Sequence, residues 1–418
     1  MMTTLLLTAL VGTLWGQGTP FNDHCPQTDD GQHYVSGCVA TAMAQIMRYY
    51  EYPERGRGYH SYRFMPATGH SLRISADFES TFYDWANMPY DYTDGSYTDA
   101  QAEAVATLMS HCGVAVEMQY SASGSGAFTY QVVQAMCQYF GYHENAVFLN
   151  RDYYTTAEWM ALLRSELQAG RPVLYSATSQ GIGGHAFVID DIDGEGRVHV
   201  NWGWNGDCNG YYEIDDLSPR GRDYHFTAVH GMILGMAPET ASIRPMSQFA
   251  VDADVSISRA GSDALAVHTT GVFSLSARSF SGVVALVAED ESGTQHVLSY
   301  QPMADVAYGD GIPLAWQRVA IGSLPSGTYQ LYLASRMQGE QRMQVVRCKA
   351  GMVNCYRLQV GDGTIASLSV DDYQPSAIAS VKALGHKESM RCNLQGIPQS
   401  TDSSSPIYIY KGKKYIHH

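Results

Sequence analysis

GQHYVSGCVATAMAQIMRYY, residues 31–50, is the stretch on which the reading of this 418-residue chain turns. Apolar residues dominate from Val39 to Tyr50, a pattern that predicts a helix, and Pro53 stops it. Cys38 stands immediately before that helix and directly after Gly37, which lets the chain turn sharply. Its thiol therefore falls at a helix N-terminus, where unpaired amide N–H groups and the positive end of the dipole favour thiolate and lower a reference pKa of about 8.5. A cysteine at a helix start is also an ordinary small core residue, so the assignment as a nucleophile needs support from elsewhere in the chain.

Gln32 lies six positions before Cys38, and His185 and Asn201 follow it far downstream. Acyl transfer through a cysteine needs a donor for the oxyanion, an imidazole to take and return a proton, and a polar group to orient that ring. Gln, Cys, His and Asn supply these in an order that resembles the papain-like peptidases. Among the chain's fifteen histidines, His185 stands out because GIGGHAFVID (181–190) puts it at the start of an apolar strand, behind two glycines and open on one side to a substrate backbone. His199 alternates with Val198 and Val200 on the next strand and is expected to point elsewhere. His230, in AVHGMIL, reads as structural, and His24 and His33 lack a strand to fix them.

The chain is too long for a single hydrophobic core, so two or three domains are expected. Its net charge is −15 with no block of Lys or Arg, which leaves no basic face for phosphate; no nucleic acid partner is expected. Charged residues form only 16% of the chain against 29 Tyr and 40 Gly, a balance closer to exported β-rich proteins than to cytosolic ones. The eight cysteines contain no CxxC pair, so neither a metal nor a disulfide scaffold is indicated. Cys112 and Cys137 fall on apolar helix faces, and Cys348 and Cys355 flank a short segment that they could cross-link. Residues 1–20 form either a signal-like apolar segment or the N-terminal part of the mature domain. No other run is long enough to predict a transmembrane segment.

Four helices are predicted: Val39–Tyr50, Asp99–Cys112, Tyr130–Phe140 and Thr156–Gln168. The second opens with a Thr98/Gln101 capping box and stops before Gly113; the fourth opens with Thr155/Glu158 and closes at Gly170. Beyond Pro172 the pattern shortens to strands, with DIDGEG (191–196) as a hairpin turn. Residues 21–240 thus read as one α+β domain, a helical half followed by an antiparallel sheet half. After the linker APETASIRP (237–245), period-two runs such as GVVALVA and TYQLYLA over residues 249–370 predict an all-β, Ig-like sandwich of seven or so strands. Residues 371–418 read as a linker and a short C-terminal β element.

SGCVATAMAQIMRYYEYP (36–53), YDWANMP (83–89) and GGHAFVIDDIDGEGRVHVNWGWNG (183–206) together resemble the streptopain family of bacterial cysteine peptidases over roughly the first 236 residues. That resemblance implies a papain-like fold and endopeptidase activity on protein or peptide substrates with no metal or other cofactor. Cys38 is then the nucleophile, His185 the base and Gln32 the oxyanion donor. Asn201 and Trp202 share the orienting of His185, with the Trp202 indole shielding the pair from water. Gly184, beside His185, matches a position whose backbone binds an extended peptide, and Ser125 and Gly126 of SASGSGA (121–127) are further substrate contacts. An apolar preference in substrates is an implication of the same resemblance.

The family is normally made with an inhibitory pro-segment. LLLTALVGTLWGQGTPFNDHCP (5–26) itself resembles the beginning of the mature family domain, which makes Met1 a candidate internal start. The ending MRCNLQGIPQSTDSSSPIYIYKGKKY (390–415) resembles a sorting element for the type IX secretion machinery, and with it a secreted or cell-surface protein is expected. Two other readings stand beside the peptidase: a cysteine-dependent acyl transferase using the same acyl-thioester, and a non-catalytic surface adhesin.

Overall fold

The computed structural model describes residues 10–66, 69, 71–243, 249–276, 279–349 and 352–371, with short backbone strands further on. The described residues group into two compact units. One comprises Met1–Leu149, Ala161–Ile243 and Lys387–His418; the other joins Asn150–Met160 to Arg244–His386. Among the described residues no helix is long and apolar enough to cross a membrane.

The first unit opens with α1 (Cys38–Tyr50), in which every residue from Val39 to Arg48 is buried. A helix buried on all sides must satisfy its polar side chains internally. Gln45 Oε1 accepts from the Thr13 hydroxyl at 2.9 Å, and Arg48 Nε donates to the Met88 carbonyl at 2.7 Å. After the hairpin β1 (Tyr59–Phe64) and β2 (Leu72–Asp77) come α2 (Asp99–Ala115), α3 (Gln131–Phe140), β3 (Val147–Asn150) and α4 (Thr156–Gln168), whose opening residues up to Met160 group with the second unit. The Thr98/Gln101 box caps α2 as its sequence predicts. The helix does not stop before Gly113, however, but runs to Ala115. Gly113 serves close packing instead, since a Cβ there would lie 2.4 Å from the Tyr120 hydroxyl.

Strands β4 (Val173–Ser179), β5 (Gly183–Ile192), β6 (Val198–Asn201), β7 (Gly210–Tyr212) and β8 (Phe226–Leu234) complete a six-stranded sheet in the order β3-β8-β4-β5-β6-β7. The β4–β5, β5–β6, β6–β7 and β4–β8 pairs are antiparallel.

Residues 10–20 are fixed to this unit along their length. Val11 N–H donates to the buried Asp190 carboxylate at 2.9 Å, and the Thr13 carbonyl accepts from Asn201 Nδ2 at 2.7 Å. The Trp15 carbonyl accepts from Asn205 N–H at 3.1 Å, and the Gln17 carbonyl from Ser36 N–H at 3.0 Å. Val11, Thr13 and Trp15 are buried, so the apolar alternation there is that of a packed strap.

The second unit contains β9 (Phe249–Val251), β10 (Ser256–Arg259), β11 (Ala264–Ser274), β12 (Phe280–Asp290), β13 (Gln295–Val306), β14 (Gly311–Ala320), β15 (Gly327–Met337), β16 (Gln344–Val345), β17 (Arg347–Cys348), β18 (Cys355–Gly361) and β19 (Thr364–Val370). They form a five-stranded and a six-stranded sheet. Leu265, Val267 and Leu314 of the first share one core with Leu286, Leu331, Leu333 and Leu358 of the second, which makes a sandwich. More strands appear than the seven or so expected because β9, β16 and β17 are only two or three residues long, too short to leave a periodicity. Within this unit Arg347 pairs with Glu158 at 2.9 Å and lies over the Tyr154 ring at 4.4 Å.

The sorting-type reading of the tail lies outside the described residues. Only the backbone of β20 (Arg391–Cys392), β21 (Pro398–Gln399), β22 (Ile407–Tyr410) and β23 (Lys413–Ile416) is described there, as a four-stranded sheet.

Candidate active site

Two element starts meet at the site. α1 begins at Cys38 because Gly37 takes φ +91°, a conformation that costs glycine nothing and other residues dearly. Space forbids a side chain there as well: a Cβ on Gly37 would meet Met118 Sδ at 2.7 Å and the Ser125 carbonyl oxygen at 3.1 Å. β5 begins Gly183-Gly184-His185, with His185 opposite Ala177 of β4. α1 packs on β5. Cys38 and His185, both half-buried, line one open cavity of about 360 Å³, and the Ala186 amide of β5 donates toward the Cys38 sulfur.

His185 Nε2 lies 2.8 Å from the Trp202 main-chain oxygen. A carbonyl can only accept, so Nε2 carries the N–H and the neutral ring keeps its lone pair on Nδ1. The ring is held flat by aromatic neighbours: Trp204 stacks on it with centroids 4.7 Å apart, Phe226 at 5.8 Å and Trp202 at 6.1 Å. Burial pulls the imidazole pKa down to about 4; the Trp202 carbonyl works against that shift and the Arg222 charge adds to it. Burial also pushes the Cys38 thiol up, against the main-chain amides of Ala186, Val39 and Cys38, which favour thiolate.

The helix terminus alone predicts a lowered thiol, and desolvation reverses the sign. Each charge by itself is opposed by burial, but moving one proton from Sγ to Nδ1 leaves the net charge of the site unchanged. Attraction between the two resulting ions would act against the desolvation that opposes each of them singly.

The other expected site residues divide. Gly184 and Ser125 line the cavity with Ser123, Gly124 and Gly183. The Ser125 hydroxyl is already engaged, donating to the Val35 carbonyl at 2.6 Å and accepting from Ser121 N–H at 3.0 Å, so it offers a substrate its main chain only. Gly126 is not on the lining; its N–H and carbonyl are paired with Gln119 at 3.0 and 2.9 Å.

Gln32 is exposed and off the lining, its carbonyl accepting from Thr28 in a turn, whereas Gln17 lines the cavity beside Cys38. A six-residue spacing misleads here because the chain between Gln32 and Cys38 leads out to the surface, while the strap brings WGQG (15–18) alongside Ser36. The pair of glycines around Gln17 was the available signal, hidden inside a run read as signal-like.

Asn201 does not reach the imidazole. Its amide donates to the Thr13 carbonyl and its oxygen accepts from Gly203 N–H at 3.2 Å, so it fastens the strap to the tryptophan loop. Trp202 orients His185 through its backbone, and the ring closest to the imidazole is that of Trp204, which sequence reasoning missed along with Arg222 and Tyr224. His199 is turned away and pairs with Asp190 at 2.6 Å, and His230 is buried against the Tyr175 hydroxyl at 2.8 Å.

The Peptidase C10 family matches residues 15–212 of this chain. Streptopain of Streptococcus pyogenes is 36% identical over 220 residues, covering 50% of this chain and 55% of streptopain. Thiol protease/hemagglutinin PrtT of Porphyromonas gingivalis is 38% identical over 206 residues, covering 49% of this chain and 23% of that protein. The chain thus spans about half the length of streptopain and less of the longer relative. Among solved structures, the active wild-type interpain A cysteine protease of Prevotella intermedia is similar with a TM-score of 0.52 and 47% identity, covering 55% of this chain and 94% of that one. With a likeness that close over nearly the whole of a solved relative, and with the matched region running from the strap through the tryptophan loop, the chain belongs to the Peptidase C10 family, the streptopain family of papain-like cysteine peptidases.

Proposed function

We propose that this chain is a secreted cysteine endopeptidase that hydrolyses peptide bonds through a Cys38 acyl-enzyme. The observation that carries the reading is the shared cavity of Cys38 and His185, with Nε2 of the imidazole occupied by the Trp202 carbonyl and Nδ1 left as the base. A substrate main chain lies extended between Ser123–Ser125 and Gly183–Gly184, where small residues admit a backbone closely. His185 Nδ1 takes the thiol proton as Sγ attacks the carbonyl carbon. The Cys38 amide and the Gln17 side chain hold the oxyanion, a term worth on the order of a hundredfold or more in rate. The C–N bond breaks as the imidazolium returns its proton to the leaving amine; water then attacks the thioester with His185 again as base, the C–S bond breaks, and the proton goes back to Sγ as the acid product leaves. The low charged fraction and the tail 371–418 support export, the latter through a type IX-like machinery.

A peptide library digested by the wild type and by Cys38→Ala, read by mass spectrometry, tests the activity. Internal cleavage by the wild type alone is expected, with uptake of a thiol-directed epoxide at Cys38 that is lost in His185→Ala. Epoxide uptake that persists in His185→Ala, or no internal cleavage by the wild type, sinks the reading. Export is tested by fractionating cultures that express the chain with and without residues 371–418.

A further inference from the structure

Among the described residues that line the cavity, Arg222 is the one that carries a permanent charge, in a chain whose net charge is −15. Its guanidinium lies over the Trp204 indole, 4.6 Å from the ring centroid, and Trp204 in turn stacks on His185 at 4.7 Å. Asp207 pairs with Nη2 and the Cys208 sulfur adjoins the same group. These contacts orient the planar fork without exhausting it, because a guanidinium has five N–H donors. The side chains of Arg222 and Asp207 are 38% and 58% exposed, so this pair is solvated and contributes little that a second carboxylate could not share.

The direction in which Arg222 would act follows from the peptidase reading above, on which this inference rests. His185 must protonate the leaving nitrogen, so the ladder His185–Trp204–Arg222 starts from the side of the scissile bond that departs. Each of its two steps is under 5 Å, and an extended peptide advances about 3.3 Å per residue. The guanidinium therefore lies within reach of side chains one or two residues past the scissile bond. We propose that Arg222 selects substrates bearing Asp or Glu at the first or second position after the scissile bond, through a charge-assisted bond from its guanidinium to that carboxylate.

The test uses the full chain and pairs of fluorescence-quenched peptides identical except for Asp or Asn at each of those two positions. The wild type should cleave the Asp member of at least one pair with kcat/KM about fivefold higher, the scale of one partly exposed ion pair. That ratio should collapse to about one in Arg222→Gln and fall as ionic strength rises. Asp207→Asn, which removes the competing carboxylate, should raise it. Because the readout is a ratio between two near-isosteric peptides, a general loss of activity in a variant cancels. Equal cleavage of both members by the wild type, or an unchanged ratio in Arg222→Gln, overturns this assignment and leaves the peptidase reading intact. Should Arg222→Gln not fold, an Asp/Asn ratio that ignores both salt and Asp207→Asn overturns it instead. Absence of any cleavage by the wild type removes the peptidase reading and this inference together.

Discussion

The peptidase unit and the sandwich solve opposite problems. The sandwich faces two sheets across a continuous apolar core, from Phe249 to Ile365, in which nearly every inward position is Val, Leu, Ile or Phe. The peptidase unit instead buries Gln45, Arg48, Asp190 and Asn201 and leaves a cavity between the start of a helix and the start of a strand. Each of those side chains has at least one named partner, with the Gln45 amide nitrogen left without one, and together they fix the strap, helix and loop around the cavity. Apolar packing fills most of the sandwich, where buried Asn354 bonds the Val346 carbonyl and the Leu333 amide; the peptidase unit uses its buried polar network to position reactive groups.

That contrast is easiest to break at Gly37, where the largest effect is expected. Gly37→Ala meets both a left-handed backbone and the Met118 and Ser125 contacts. It should cost on the order of several hundredfold in kcat/KM, since a shift of about an ångström at a nucleophile costs about a hundredfold and the left-handed backbone adds strain. Near-normal turnover would mean that the start of α1 is not the rigid point described.

Next, Gln17→Ala should lower kcat about a hundredfold while Cys38 still takes up an epoxide, and Gln32→Ala should do neither. The reverse result would move the oxyanion donor back to the surface turn. On the other side of the comparison, Leu331→Ala should cost about 3 kcal/mol of sandwich stability in denaturant unfolding and leave kcat/KM for short peptides unchanged. A fall in kcat/KM would show that the two units do not act separately.

The smallest effect concerns pH. Activity requires that Cys38 and His185 share one proton, so the profile is a bell whose limbs belong to the pair. With the imidazole pulled down to about 4 and the thiol pushed up, the acid limb should fall near pH 4 and the alkaline limb beyond the ordinary thiol range. Trp204→Ala opens His185 to water and should raise the acid limb by roughly one pH unit. An acid limb that stays put would assign the low imidazole value to something other than the stacked rings.

Much of this was legible in the chain itself, and unevenly. The start of α1, the Thr98 and Thr155 caps and the strand behind GIGGH follow from local rules of turn, cap and period, and they place Cys38 and His185 without tertiary information. What could not be read was anything that arrives from a distance. Gln17 reaches the cavity only because a strap of alternating residues is fixed by Asp190, Asn201 and Ser36. The orienting contact of Trp202 is invisible to side-chain reasoning because the hydrogen bond to His185 comes from its carbonyl, while its indole stacks on the imidazole with centroids 6.1 Å apart. Asn201 was credited with orienting the ring on account of its residue type and order, yet its amide is committed elsewhere. Gly113 looked like a helix stop and is instead room for Tyr120.

Asn201 has a consequence for when the molecule can act. One amide grips both Thr13, four residues from Gln17, and Gly203, next to Trp202. On the proposed mechanism, a nascent or fraying chain in which the strap has not docked therefore lacks, in the same instant, the cradle for the tetrahedral oxygen and the anchor for the imidazole. Destructive chemistry is thus tied to completed folding, and a half-made copy is a poor threat to its neighbours.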